Sequence, residues 1–92
     1  MDLTKLRKEI DQVDARLLEL ISKRVSVVKK IGEYKKQVGK PIRDPQREQE
    51  RIDTLAKQGQ KLGLGRKSIE KIWRTFFEVS YTIEESKGAK NE

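Results

Sequence analysis

Two basic residues, Arg24 and Lys35, lie in a segment whose apolar residues recur at helical spacing. Eleven residues at about 100° each amount to roughly three turns plus 20°, so both side chains lie on one face of a helix. Their Cα atoms are then about 16 Å apart, and the side chains can converge on a molecule between them. Two cations on a mostly apolar face repel each other unless an anion binds, so the pair predicts an anion site. The alternative for Arg24 alone is a register-setting residue paired with an internal carboxylate.

A second group of charged residues begins the next helical segment, where Arg47, Glu48 and Arg51 follow Asp44. Together with the first pair, these cations could surround a small dianion while Glu48 accepts a hydrogen bond from a hydroxyl group. A solvated surface is the alternative for Arg47 or Arg51 taken singly.

Three further polar residues could join such a site. Ser80 and Glu84 are spaced i, i+4 in the third segment and share a helix face, although Glu84 could instead form an ordinary ion pair with a lysine. Arg7 is rotated by about 100° from Arg24 around the same helix, so it cannot easily join Arg24 within one chain. In an antiparallel or intertwined dimer, Arg7 could reach the site of the partner.

The composition excludes several kinds of catalysis. The chain has no His and no Cys, which excludes a His-activated nucleophile, a zinc site of imidazole or thiolate ligands, and thiol redox chemistry. The composition would still permit a magnesium or calcium site of carboxylates alone, but no carboxylates have the spacing of one, so we expect no metal. The net charge of +7 predicts an anionic partner, which could be nucleic acid, an anionic surface or an acidic small molecule. The apolar runs are too short to span a membrane and the charged start lacks a signal sequence, so we expect a cytoplasmic protein.

Two breaks divide the 92 residues into three segments, each with helical periodicity. The breaks contain Gly39, Pro41 and Pro45, and then Gly59, Gly63 and Gly65. No segment alternates with period two, so the sequence predicts an all-α fold with three helices per chain. We expect one domain over residues 1–92, with residues 87–92 as a frayed tail.

The first helix carries an uninterrupted heptad seam and is predicted to end at Gly39. The seam consists of Leu3, Leu6, Ile10, Val13, Leu17, Leu20, Arg24, Val27, Ile31, Tyr34 and Val38. A helix of about 35 residues is roughly 52 Å long, whereas a compact chain of this size has a radius of gyration of about 12 Å. The rest of the chain cannot cover such a helix, so we expect a homodimer that pairs the long helices.

The other two helices have their own start signals and apolar faces. Asp44 and Pro45 predict an N-cap and first residue for a second helix that runs to about Gln58. Its predicted apolar face consists of Ile52, Leu55 and Ala56. The third helix is predicted to begin between Arg66 and Ser68. Its predicted buried stripe consists of Ile69, Ile72, Trp73, Phe76, Val79, Ser80 and Ile83.

Four motifs resemble those of the all-helical chorismate mutases, the AroQ class. They read LRKEIDQVD, ELISKRVSVVKKIGEYK, PIRDPQRE and FFEVSYTIEE, and they extend in order from about residue 3 to 85. The resemblance implies an intertwined homodimer of three-helix protomers with two equivalent sites. It also implies that chorismate is rearranged to prephenate without a cofactor, in phenylalanine and tyrosine biosynthesis.

The resemblance also implies which residues bind the two carboxylates of chorismate. Arg24 and Arg47 of one protomer, with Arg7 of the other, would hold them, and Ser80 would help to bind one. A sigmatropic rearrangement needs no nucleophile, metal or general base, because it depends on orientation of the substrate and on stabilisation of developing charge. The absence of His and Cys is compatible with that chemistry.

The remaining implied contacts concern the ether oxygen and the ring hydroxyl of chorismate. Lys35 would bridge a carboxylate and the ether oxygen, and Glu48, with the backbone near Asp44, would receive the ring hydroxyl. Glu84 would donate a hydrogen bond to the ether oxygen, at a position where many members of the family carry Gln. A carboxyl group donates only when protonated, so we expect activity to rise toward acid pH. Arg24, Lys35 and Glu84 are the predicted catalytic residues.

Three other functions remain as alternatives. An isochorismate-pyruvate lyase uses the same scaffold and also eliminates through a cyclic transition state. A basic helical dimer that binds nucleic acid would suit the charge, but the basic residues alternate with acidic ones and no helix-turn-helix or RNA-binding motif occurs. A structural coiled-coil adaptor would explain the seam but not the face shared by Arg24 and Lys35. We therefore expect a small-molecule dicarboxylate as partner, with neither nucleic acid nor a membrane.

Overall fold

Three α-helices make up the computed structural model, which describes residues 2–89. They are α1 (Leu3–Val38), α2 (Pro45–Lys61) and α3 (Arg66–Ala89), and α3 packs against both of the others. The described residues contain no strand, which confirms the all-α prediction. The helix α3 continues through Ala89, and residues 90–92 of the expected tail lie outside the described part. Within that part, every helix is too short or too polar to cross a membrane.

Both ends of α1 carry caps of the expected kind. The Asp2 side chain accepts a hydrogen bond from the Thr4 backbone N–H at 3.0 Å and so satisfies one free donor of the first turn. At the other end Gly39 has φ 73°, in the left-handed region, and the Lys40 N–H donates to the Lys35 carbonyl at 2.9 Å. The predicted end of α1 at Gly39 is confirmed.

The start of α2 is as predicted, but its end is not. Asp44 is the N-cap, since its carboxylate accepts from the Arg47 N–H at 3.0 Å, and Pro45 is the first helical residue. The helix continues to Lys61 instead of stopping near Gln58. Gly59 does not break it, because the missing Cβ allows close packing: an added Cβ would lie 3.1 Å from Ile69 Cδ1. The break comes at Gly63, which has φ 80°.

The hydrophobic core lies between α2 and α3. Ile52 is fully buried and packs with Phe77 and Tyr81, while Ile42 and Trp73 cover the edge of this cluster. The predicted apolar face of α2 is buried as expected, at Ile52, Leu55 and Ala56. This core joins α2 to α3 and fixes the loop before α2, through Ile42, against the same surface.

The buried stripe of α3 differs from the prediction. The members that are buried as predicted are Ile69 and Ser80, and those only half-buried are Trp73, Phe76 and Ile83. Ile72 and Val79 are each 47% exposed, and Phe77 and Tyr81 are buried instead. The reason is that α3 carries apolar side chains on more than one face, and Ile52 of α2 packs on the face that presents Phe77 and Tyr81.

The N-terminal half of α1 extends beyond the rest of the chain. Every residue from Asp2 to Leu20 is exposed. The chain measures 55 × 29 × 14 Å, and its radius of gyration of 16.3 Å exceeds the value of about 12 Å for a compact chain of this length. The exposed apolar residues of this half are Leu3, Leu6, Ile10, Val13, Leu17, Leu18 and Leu20. The rest of the chain leaves the seam uncovered, as the length of α1 predicts.

Candidate active site

A cavity of about 470 Å³ lies between the C-terminal half of α1, the first turns of α2 and the C-terminal half of α3. It brings together seven of the eight site residues that the sequence predicts: Arg24, Lys35, Asp44, Arg47, Glu48, Ser80 and Glu84. Its apolar walls are Val27, Val28, Ile31, Trp73 and Phe77. Two more polar residues, Arg51 and Tyr81, complete the lining. The cavity therefore combines an apolar wall with charged groups that converge from all three helices.

Arg7 is the predicted residue that does not line this cavity. It lies on the exposed half of α1, seventeen residues before Arg24, which corresponds to about 25 Å along the helix axis. An arginine side chain is far too short to cover that distance. Within one chain, Arg7 is therefore separate from the other seven.

Arg24 is held by a hydroxyl group of α3. Its Nη1 donates to Ser80 Oγ at 2.6 Å, and the Ser80 hydroxyl in turn donates to the Phe76 carbonyl at 2.8 Å. Burial, and then the positive charge of Arg51, lower the pKa of Arg24. Arg24 Cζ also lies 5.4 Å from the centre of the Phe76 ring. Both of these groups are neutral, so within residues 2–89 Arg24 does not have the internal carboxylate that the register-setting alternative required.

Lys35 and Glu84 form an ion pair at the cavity wall. Lys35 Nζ lies 2.8 Å from Glu84 Oε1, and the two side chains are 16% and 5% exposed. The ammonium group also donates to the Ile42 carbonyl at 2.6 Å. Among the described residues Glu84 Oε1 has no hydrogen bond of good geometry, so its contact with Lys35 is electrostatic. The lysine pairing considered as an alternative for Glu84 does occur, and it joins two predicted site residues.

A close approach of α1 and α3 brings Lys35 and Glu84 together. Gly32, one turn before Lys35, is buried against the backbone of Glu84. A Cβ on Gly32 would lie 2.9 Å from Glu84 Cα, which is closer than real Cβ contacts, and 3.2 Å from its carbonyl oxygen, which is tighter than most. Glycine is therefore the residue that allows this spacing of the two helices.

Glu48 is held by two residues of α3. Tyr81 donates its hydroxyl hydrogen to Glu48 Oε2 at 2.5 Å, and Arg74 Nη1 lies 3.3 Å from Glu48 Oε1. The Asp44 backbone N–H donates to the Tyr81 hydroxyl oxygen at 3.3 Å. Burial, and then the hydrogen bond to Glu48, raise the pKa of Tyr81 to about 12. The Tyr81 hydroxyl is therefore protonated at neutral pH and serves as a donor.

Sequence reasoning did not find Tyr81 or Arg74. The available signal was spacing: Tyr81 lies four residues after Phe77, three before Glu84 and next to Ser80. Those positions share one helical face, so a face chosen through Ser80 and Glu84 includes Tyr81.

The charges around the cavity suit a small anion. The cations are Arg24, Lys35, Arg47 and Arg51, and the carboxylates are those of Asp44, Glu48 and Glu84, which leaves a net charge of 4 − 3 = +1. No group of three or more acidic side chains among residues 2–89 has the arrangement of a metal site. The site can bind carboxylates through its cations and a hydroxyl group through Glu48, and it offers Lys35 as a hydrogen-bond donor inside a largely apolar wall.

The fold and the cavity together define an all-helical protein with a pocket lined by four cationic side chains, three carboxylates and an apolar wall. Residues 6–85 match the family described as Chorismate mutase type II, and the chain belongs to this family. This match confirms the resemblance seen in the four motifs.

The relatives of this chain include two T-proteins and a chorismate mutase. The chain is 40% identical over 89 residues to the T-protein of Enterobacter agglomerans, a match that covers 97% of this chain and 24% of that protein. It is 36% identical over 88 residues to the T-protein of Haemophilus influenzae, covering 96% of this chain and 23% of that protein. A chorismate mutase of Methanocaldococcus jannaschii is 44% identical over 55 residues, covering 60% of this chain and 56% of that protein. The chain thus spans about a quarter of the length of the two T-proteins.

Proposed function

We propose that this chain is a chorismate mutase, which isomerises chorismate to prephenate in the biosynthesis of phenylalanine and tyrosine. The observation that carries the proposal is the convergence of Arg24, Lys35, Glu48 and Glu84 from three helices on one cavity. Chorismate has two carboxylates, an enolpyruvyl ether and a ring hydroxyl, and the cavity presents a group of suitable chemistry for each. Membership of the family supports the same reaction.

The two carboxylates bind to the arginines. Ser80 orients the Arg24 guanidinium, which has no anionic partner among the described residues. Arg24 can therefore donate to a substrate carboxylate without breaking an existing ion pair. Arg47, at the start of α2, lines the same cavity. Binding both carboxylates folds the extended dianion into the compact geometry that the rearrangement requires, which is an orientation effect.

The bond-breaking step depends on Lys35 and Glu84. In the rearrangement the ether C–O bond breaks while a new C–C bond forms within the same molecule, and negative charge develops on the ether oxygen. Lys35 stabilises that charge by donating a hydrogen bond from inside an apolar wall, where electrostatic interactions are stronger than in water. Glu84 donates to the same oxygen in its protonated form. Glu48 accepts a hydrogen bond from the ring hydroxyl and so orients the ring.

The active form is an intertwined homodimer in which Arg7 completes the site of the partner. Support comes from the exposed seam on the first half of α1, where Leu17 and Leu20 are 48% and 60% exposed. If two α1 helices pair antiparallel with a two-fold axis near residues 17 and 18, Arg7 of one chain lies opposite Val28 of the other. Val28 lines the cavity between Arg24 and Lys35, so the partner's Arg7 would add one positive charge there.

The test is a direct assay of purified protein with chorismate as substrate. We expect chorismate to disappear and prephenate to form in equal amounts, without added metal or cofactor. Isochorismate is the second substrate, and faster release of pyruvate from isochorismate would assign the chain to the lyase reaction instead. Inactivity toward both, together with steeply salt-dependent binding of DNA, would favour the nucleic-acid alternative.

A further inference from the structure

Tyr81 connects α3 to the beginning of α2 through a buried hydroxyl group. The residue is only 6% exposed, and its hydroxyl both donates and accepts: it donates to Glu48 Oε2 at 2.5 Å and accepts from the Asp44 N–H at 3.3 Å. The hydroxyl therefore lies between the N-cap of α2 and the carboxylate one turn into that helix. The Tyr81 hydroxyl thus donates to a residue of α2 and accepts from the N-cap of α2.

Glu48 has two oxygens that α3 holds from different positions. Tyr81 binds Oε2, whereas Arg74, two turns earlier on α3 and 47% exposed in its side chain, lies 3.3 Å from Oε1. The ion pair between Arg74 and Glu48 is weak, because Arg74 is exposed and water competes for its charge. Tyr81 is buried, so its hydrogen bond to a carboxylate does not face that competition. Without the hydroxyl, Glu48 would keep only the exposed partner, Arg74.

The Tyr81 ring has a separate role from its hydroxyl. Lys35 Nζ lies 5.9 Å and Arg43 Cζ 4.9 Å from the centre of this ring, and the ring also packs on Ile52 in the core. A Phe at position 81 keeps the ring and both cation contacts and loses the hydroxyl group alone. The substitution Tyr81→Phe therefore isolates the hydrogen bond to Glu48.

We propose that Tyr81 is a positioning residue whose hydroxyl, bonded to Glu48 and to the Asp44 backbone, holds the Glu48 carboxylate where it receives the ring hydroxyl of the substrate. This role rests on the proposed mutase function. Tyr81 acts through Glu48 and orients the substrate ring, so its loss weakens substrate binding more than it slows the bound reaction. The same hydroxyl also links the substrate-binding carboxylate to the first turn of α2.

A double-mutant cycle with Tyr81→Phe and Glu48→Ala tests the role. We expect Tyr81→Phe to raise KM for chorismate by about 10- to 100-fold, as for loss of a hydrogen bond to a charged group, with a smaller effect on kcat. In the Glu48→Ala background there is no carboxylate to orient, so Tyr81→Phe should change KM by less than about twofold. Independent, multiplicative effects of the two substitutions, or a Tyr81→Phe enzyme with wild-type KM, would overturn the proposal. Far-UV circular dichroism checks that each variant is folded.

A titration that needs no activity separates this proposal from the proposed function. Tyr34 is the other tyrosine of the chain, so Tyr34→Phe leaves Tyr81 as the sole source of tyrosinate absorbance. Adding Glu48→Ala should move the absorbance midpoint to lower pH, because the neutral hydroxyl loses its acceptor. An unchanged midpoint would overturn the Tyr81–Glu48 contact even in an active enzyme. If the midpoint shifts but the wild-type protein does not convert chorismate, the Tyr81–Glu48 contact is correct. The mutase function and the positioning role are then both wrong.

Discussion

Lys35 Nζ lies 2.8 Å from Glu84 Oε1, and this ion pair occupies the wall of the cavity where both residues are expected to meet the substrate ether oxygen. An ionised Glu84 pairs electrostatically with Lys35 and has no proton to donate to the ether oxygen. The proposed mechanism therefore requires that Lys35 turn toward the ether oxygen when substrate binds and that Glu84 be protonated.

The first prediction concerns Glu84→Gln. An amide donates at any pH, so the ratio of variant to wild-type kcat/KM should increase with pH, by at most about tenfold per pH unit. The measurement is a pH–rate profile of both proteins between about pH 5 and pH 9. The exposed neighbour Glu85 supplies the matched control, since Glu85→Gln removes the same charge outside the cavity. A variant-to-wild-type ratio that stays constant across this range would contradict the donor role of Glu84.

The second prediction separates the structural and catalytic roles of Lys35. Lys35→Ala should lower kcat by about 10²- to 10³-fold, the usual cost of losing a donor to a developing negative charge. It also leaves Glu84, whose side chain is 5% exposed, without its cation, which lowers the free energy of unfolding.

The double variant Lys35→Ala with Glu84→Gln distinguishes these two effects. Because Gln carries no charge, it should recover most of the lost stability in urea unfolding, yet leave kcat low. Recovery of kcat together with stability would mean that Lys35 acts only by supporting the fold.

The sequence predicted those features that depend on local signals. The helical course of α1, its Gly39 cap and the Asp44–Pro45 start of α2 all follow from residues within a few positions of each other, and all are confirmed. The pairing of the α1 seam with a second chain stays a prediction. Seven of the residues that line the cavity are singled out by their charge and spacing, and the family motifs imply their roles. Their convergence agrees with those motifs, although their roles in catalysis stay predictions.

The features that the sequence did not predict depend on contacts between helices. Phe77 and Tyr81 are buried while Val79 is exposed, and this choice of face is made by packing of α2 on α3. The helix α2 continues through Gly59, where the absence of a Cβ lets the Ile69 side chain of α3 pack closely. This contact between helices cannot be read from local sequence. The Tyr81 bond to Glu48 depends on that same packing.

The third prediction tests the close approach of α1 and α3 at Gly32. Gly32→Ala gains about 1 kcal/mol in helix propensity but forces a Cβ to within 2.9 Å of Glu84 Cα. Overpacking against backbone costs about 1–3 kcal/mol, so we expect a net loss of stability of up to about 2 kcal/mol. Since the helices must separate at Glu84, kcat should fall as well, by about tenfold.

Gly59→Ala is the matched control for Gly32→Ala. It also adds a Cβ to a buried helical glycine, but its nearest neighbour is the Ile69 side chain at 3.1 Å, which can shift, and the site is away from the cavity. Urea unfolding and steady-state kinetics on both variants give the comparison. Equal kcat values for Gly32→Ala and wild type would show that the spacing at Glu84 does not matter for catalysis.

The fourth prediction is a loss of stability at high pH that depends on Tyr81. The folded chain raises the pKa of Tyr81 from 10.0 to about 12, so the neutral hydroxyl favours the folded state. That contribution is fully present below about pH 10 and is lost as the pH rises through about 12, and it amounts to at most about 3 kcal/mol. Tyr81→Phe should therefore have a flatter decline of unfolding free energy over this interval. A decline as steep as that of wild type would assign the alkaline loss to the lysines.

The fifth prediction addresses the use of two chains for each site. Arg7→Ala and Lys35→Ala homodimers should both be inactive, because every site in either lacks one group. When the two variants are unfolded, mixed equally and refolded, about half of the dimers contain one chain of each kind. In such a dimer one site carries both defects, whereas the other receives Arg7 from one chain and Lys35 from its partner. We expect the mixture to recover about a quarter of wild-type activity.

The control for the mixing experiment is the pair Arg24→Ala and Lys35→Ala. These two residues line the same cavity of a single chain, so every site in a mixed dimer lacks one of them. This mixture should stay inactive. Recovery there would mean that Arg24 and Lys35 of different chains combine, and absence of recovery with Arg7→Ala would place Arg7 outside the partner's site. Because Arg7 lies about 25 Å from Arg24 along α1, only a second chain can supply that guanidinium to the cavity.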